Sequence, residues 1–99
     1  MVPDAQEVMS AVGKVMGRHP EVRAVGLFGS FARGEQTSDS DVDLLASIEG
    51  PRSCGRDFDL CEELQSALGR EVDLITSLRD MPKYFIDELD RDTVRIYER

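Results

Sequence analysis

Three aspartates stand where a small protein most needs apolar side chains. Asp41 and Asp43 open the run "DVDLLASI", and Asp73 interrupts "EVDLIT" between Val72 and Leu74. Side chains along a strand alternate between faces, so Asp41 and Asp43 point one way while Val42 and Leu44 enter the opposite layer. Should the two strands be neighbours, all three carboxylates converge on one patch. Anions ~5 Å apart repel by ~3 kcal/mol per pair at an effective dielectric near 20. That is a large part of the ~5–15 kcal/mol that holds a small domain together. A divalent cation offsets the repulsion. Mg2+ takes hard oxygen ligands, few of them from protein and the rest from water and phosphate. Two such ions ~3.5–4 Å apart clamp the attacking and leaving oxygens of phosphoryl-type transfer.

Gly29-Ser30 supplies a complementary feature. The pair ends the apolar run "VRAVGLF" and opens a turn, where glycine lets backbone approach a ligand closely. Ser30 is expected to cap a short helical turn whose free N–H groups face an anion. Arg33, one turn on, suits a phosphate oxygen or an ion pair with a neighbouring acid. A Gly-Ser turn joined to a D-x-D strand points to a triphosphate site beside a metal site.

Other chemistries fall away. The single histidine, His19, sits in a turn beside Pro20 and reads as a surface residue. Ser-His-Asp catalysis and His/Cys zinc sites need more partners than that. Neither a Walker A loop nor a G-x-G-x-x-G fingerprint is present. The stretch "DSDVD" resembles a calcium loop, but Leu44 stands where glycine is required and Gly50 where glutamate belongs.

The elements that must position these residues follow from periodicity. Asp4 and Glu7 form a capping-box start, and Val8, Met9, Val12, Val15 and Met16 make one apolar helix face. Gly17 and "HP" stop that helix. Residues 22–28 read as a buried strand, Phe31–Gly34 as one helical turn, and 41–48 as a second strand. Ser53 is expected to cap a helix carrying Phe58, Cys61, Leu64 and Leu68 inward and ending at Gly69. Residues 71–76 form a third strand. Asp80 and Pro82 open a helix through about Leu89 that buries Phe85, Ile86 and Leu89. "TVRIYE" reads as a fourth strand or an extended tail. The expected class is mixed α/β (α+β), a small three- to four-stranded sheet with helices packed on it.

Bulk properties bound the rest. Ninety-nine residues suit a single domain spanning 1–99. Twenty acids against twelve Lys and Arg leave a net charge of −8, which speaks against direct nucleic-acid binding and suits a basic partner or a metal-recruiting site. Acidity also simply favours solubility. Cys54 and Cys61 lie about two helical turns apart, too far for a disulfide, so both read as small core residues. With no signal-peptide pattern and no membrane-length apolar run, the expected compartment is the cytoplasm.

The stretch "GSFARGEQTSDSDVDLL" resembles the signature of the polymerase-beta-type nucleotidyltransferase superfamily: G-S, a spacer, then D-x-D. The G-S-x-A-R-G form and Ser40 before the first aspartate are similar to its smallest members, the minimal nucleotidyltransferases (MNT), and the resemblance in element order spans nearly the whole chain. It implies a polymerase-beta-like core moving a nucleoside monophosphate, usually AMP from ATP, to a hydroxyl. Asp41 and Asp43 would hold two Mg2+ ions, and Asp73 would complete the metal site and help deprotonate the acceptor. Gly29 and Ser30 would cradle the β- and γ-phosphates, with Arg33 and Ser40 beside them. Family members of this size commonly serve as antitoxins of HEPN-type ribonuclease toxins, adenylylating a tyrosine of the partner. Neutralisation by binding alone and transfer to a small molecule or RNA are the alternative readings.

Overall fold

The computed structural model describes residues 5–50 and 54–98. Its elements run α1 (Ala5–Met16), β1 (Val22–Phe28), α2 (Gly29–Arg33), β2 (Val42–Ile48), α3 (Cys54–Leu68), β3 (Val72–Ile75), α4 (Lys83–Asp92) and β4 (Val94–Glu98). The four strands form one sheet in the order β3-β2-β1-β4. β1 pairs antiparallel with both β2 and β4, whereas β2 and β3 run parallel, connected through α3. A parallel pair needs such a crossover, and the helix supplies it.

The core lies between one sheet face and the helices α1 and α3. Val8, Val12, Val15 and Met16 of α1 and Leu60 and Leu64 of α3 pack on Val25, Leu27, Val42, Leu44, Ala46 and Val72. The alternating residues of β2 therefore turn Asp43 and Leu45 to the second face. That face is covered at the β1 end by α4, where Phe28 meets Phe85 edge-to-face at 6.3 Å and Leu89 is buried. Covering both faces of β1 explains its nearly unbroken apolar run.

Several expectations need adjustment. Phe58 is 63% exposed, and Leu60 takes the core position instead. At 3.6 residues per turn Phe58 lies about 120° around the helix from Leu64, outside the buried stripe. Met9, on the flank of the α1 stripe, is 44% exposed. α4 begins at Lys83 after an extended Pro82, so Asp80 stands outside it. Cys61 is a free thiol donating to the Val72 carbonyl at 3.4 Å. The proposed caps Asp4 and Ser53 lie outside the described residues, as does the Cys54 side chain. Among the described residues no helix is long and apolar enough to cross a membrane.

Candidate active site

Asp43 is the centre of the site. In the β2–β3 ladder it stands directly opposite Asp73, and in the β1–β2 ladder opposite Phe28. The in-register neighbours Val42/Val72 and Leu44/Leu74 belong to the core side, so the two aspartates share the other face. The condition for the acids to converge, that their two strands be neighbours, is met for Asp43 and Asp73. Asp41 departs from expectation: it lies one residue before β2 rather than within it, because β2 begins at Val42. It remains close enough for its charge to act on Asp43.

Burial holds the Asp43 carboxyl above its usual range, and the charges of Asp73 and Asp41 push it further, while Arg33 pulls it back. Burial and like charge both disfavour the carboxylate, so the site is one in which a cation is stabilising. The donors fit Mg2+ in chemistry, being hard carboxylate oxygens with one side open to water and phosphate. They do not form a closed cage. Among the described residues no group of three or more acidic, His or Cys side chains is gathered tightly enough to hold a metal unaided.

The Gly-Ser turn packs straight onto this centre. Gly29 has φ +72°, and a Cβ there would overlap a carboxylate oxygen of Asp43 and lie 3.0 Å from its Cγ. Two independent demands, a left-handed backbone and the Asp43 carboxylate against it, make glycine necessary at this position. α2 begins at Gly29 itself, with Phe28 at the cap position and no side-chain cap bond. Ser30 therefore lies in the first helical turn and does not cap it, contrary to the sequence expectation. The helix closes at Gly34 in the left-handed region, with the Glu35 N–H donating to the Ser30 carbonyl at 2.9 Å.

Arg33 takes the ion-pair option. It lies 3.4 Å from Glu35 and 3.8 Å from Asp92 of α4. Together with Phe28 and Gly29 it faces Phe85, Glu88, Leu89 and Asp92 across a cleft of about 180 Å3 beside Asp43's strand partner. That α4 forms a wall of the site was not legible in the sequence, since its amphipathic pattern reports burial but not which sheet face it covers.

Ser40 organises the loop ahead of the aspartates. Its hydroxyl accepts from the Thr37 N–H at 2.8 Å, and its carbonyl accepts from Arg70 Nη1 at 2.9 Å. Arg70, the residue after the Gly69 that ends α3, was missed by sequence reasoning. A lone arginine there reads as a favourable charge at a helix C-terminus. His19 stands apart from the site. It lies in the α1–β1 turn, as expected, but its side chain is only 18% exposed and sits between Glu63 (3.1 Å) and Glu21 (3.4 Å).

Known proteins give this geometry a context. A protein adenylyltransferase, MntA, of Thermococcus cleftensis is 38% identical over 72 residues, 73% of this chain and 73% of its own. A Methanocaldococcus jannaschii relative that carries a protein adenylyltransferase name is 30% identical over 95 residues, 94% of this chain and 95% of its own. A toxin–antitoxin crystal structure with AMP-PNP superposes with a TM-score of 0.77 at 23% identity, covering 92% of this chain and 73% of that one. A tri-AMPylated Shewanella oneidensis HEPN toxin in complex with its MNT antitoxin gives 0.70 at 20%, with 95% and 72% covered. Both structures share the fold. The sequence profile described as polymerase beta, nucleotidyltransferase, matches residues 11–99, and the chain belongs to that family of nucleotidyltransferases.

Proposed function

We propose that this chain, acting as one minimal nucleotidyltransferase domain over 1–99, moves AMP from ATP onto a tyrosine hydroxyl of a cognate HEPN-type ribonuclease toxin and so serves as its antitoxin. The observation that carries the reading is the placement of Asp43. It is in register with Asp73 and packed against Gly29, so the acidic patch adjoins the Gly29–Ser30 turn, an arrangement that suits a metal-bound triphosphate. The names of the relatives and the nucleotide and AMPylated toxin in two fold neighbours support it.

In this reading Asp41 and Asp43 would hold two Mg2+ ions and Asp73 would complete the catalytic metal site. Bound Mg2+ would neutralise the carboxylates and the phosphate oxygens as charge builds on them. Asp73 accepts the proton of the acceptor hydroxyl, whose oxygen bonds to the α-phosphorus as the bond to the bridging oxygen breaks and pyrophosphate leaves. Gly29 and Ser30 orient the β- and γ-phosphates through the turn's backbone. Arg33 exchanges Glu35 and Asp92 for phosphate oxygens, with a bidentate geometry suited to both. Ser40 holds the loop that carries Asp41. We place the pair in the cytoplasm, a reducing compartment in which a free thiol such as Cys61 persists.

The test is to incubate the chain with its toxin partner, ATP and Mg2+ and weigh the partner. An AMP adduct on tyrosine is expected, and an unmodified partner under those conditions would sink the proposal. The Asp41→Asn/Asp43→Asn double variant should lose the adduct and stop protecting cells. Full protection by that variant would instead mean neutralisation by binding alone.

A further inference from the structure

Asp43 and Asp73 are fixed by the strand ladder, but Asp41 is not. It precedes β2 and is exposed, so something other than the sheet must hold it. Both peptide groups flanking it are anchored to one short segment. On one side the Val42 N–H donates to the Glu71 carbonyl at 3.0 Å, and on the other the Ser40 carbonyl accepts from Arg70 Nη1 at 2.9 Å. The first bond is backbone and available to any sequence. The second is the work of a single side chain.

The same guanidinium lies 5.5 Å from the centroid of the Phe31 ring, a cation–π distance. Phe31 is the one α2 residue that is buried, at 3% exposure, so it is the anchor of the Gly29–Arg33 turn in the core. Arg70 therefore touches three parts at once: the loop before Asp41, the turn that begins at Gly29, and the entry to the strand bearing Asp73. Its Nε is itself buried and finds no hydrogen-bond partner among the described residues. A buried donor left unpaired is uncommon in native structures and calls for an explanation.

We infer that Arg70 is a positioning residue: by binding the Ser40 carbonyl while stacked on Phe31, it holds Asp41 near Asp43 and so strengthens the site's hold on a divalent cation. The inference rests on the nucleotidyltransferase reading above and adds a residue to it. Arg70 acts through the Ser40 carbonyl and hence through Asp41. Partners one shell out from a metal ligand commonly govern metal affinity by about 10–100-fold. A carboxylate displaced by about 1 Å is enough to cost that much in rate.

The experiment compares wild type with Arg70→Met and Arg70→Lys in two assays. The first follows the rise in melting temperature on adding Mg2+ without nucleotide, and the second the Mg2+ concentration for half-maximal transfer at saturating ATP. Arg70→Met should need about 10–100-fold more Mg2+ in both, the usual loss when a partner that orients a metal ligand is removed. The KM for the protein acceptor should stay near the wild-type value. Arg70→Lys keeps a cationic donor for the Ser40 carbonyl and should recover most of the loss, separating positioning from general destabilisation. In an Asp41→Asn background Arg70→Met should weaken the Mg2+ response no further. A wild-type Mg2+ response that Arg70→Met leaves unchanged would overturn this inference alone. A wild type with no Mg2+ response and no transfer would overturn both it and the reading beneath it.

Discussion

Replacing Asp43 by Asn should stabilise the metal-free protein while abolishing transfer. Asp43 and Asp73 are directly opposite partners across a parallel strand pair. Adjacent strands are ~4.8 Å apart, so two unit charges at that spacing repel by ~0.9 kcal/mol in water and ~3.5 kcal/mol at an effective dielectric of 20. Asp73 is exposed, which places the interaction toward the lower figure, near ~1 kcal/mol. Burial of the charge adds to the gain, and the lost attraction to Arg33 subtracts from it. For a domain this size ~1 kcal/mol raises the melting temperature by roughly 4–8 °C. The pH dependence has a definite sign. The folded-state pKa of Asp43 lies above the unfolded value near 3.8, so the folded protein takes up this proton first as pH falls. The wild-type deficit is therefore full at neutral pH and shrinks as pH drops through the raised value toward 3.8. Thermal scans of wild type and Asp43→Asn in chelator from pH 7 downward should show a gap that narrows on acidification. An Asp43→Asn protein that melts at or below wild type at pH 7 would refute the electrostatic argument.

Three further outcomes follow from other parts of the molecule. Gly29→Ala should destabilise by ~1–3 kcal/mol from the left-handed backbone and the overlap with Asp43; urea unfolding should show part of that loss recovered when Asp43→Ala is added. Glu63→Gln should lower the melting temperature at neutral pH. The carboxyl of Glu63 is held below its ordinary range by hydrogen bonds from His19 and Arg18, so that contribution is present above the unfolded pKa and disappears as pH falls through the lowered one. Leu64→Ala empties a fully buried position between α3 and the sheet and should cost ~2–5 kcal/mol by denaturant titration, with the Mg2+ requirement of the surviving folded protein unchanged.

The strands were legible in the sequence because their apolar runs are short, bounded by turns and interrupted only by the aspartates. β1 falls at 22–28 as read, and β2 and β3 differ by one residue at their ends. The adjacency of Asp43 and Asp73 was legible as a condition, since alternation fixes the face of each acid but not which strands pair. The helix faces were less so. Phe58 is attractive by hydrophobicity, yet the angular position of Leu60 decides which residue is buried. The role given to Ser30 failed because residue type suggested a cap, whereas the left-handed Gly29 starts the helix one residue earlier. Arg70 and the α4 wall were invisible for a common reason: both act through contacts between segments distant in sequence, and no local pattern encodes them.

In the proposed reaction the Asp41, Asp43 and Asp73 patch beside the Gly29–Ser30 turn transfers the nucleotidyl group and not the terminal phosphate. Its most direct test uses ATP labelled at either the α- or the γ-phosphate, with Mg2+ and the toxin partner. Label should enter the partner from α-labelled ATP only, with pyrophosphate released in equal amount, and Asp41→Asn/Asp43→Asn should abolish it. Label arriving from the γ-position, or α-label transfer undiminished in that double variant, would refute nucleotidyl transfer by this patch.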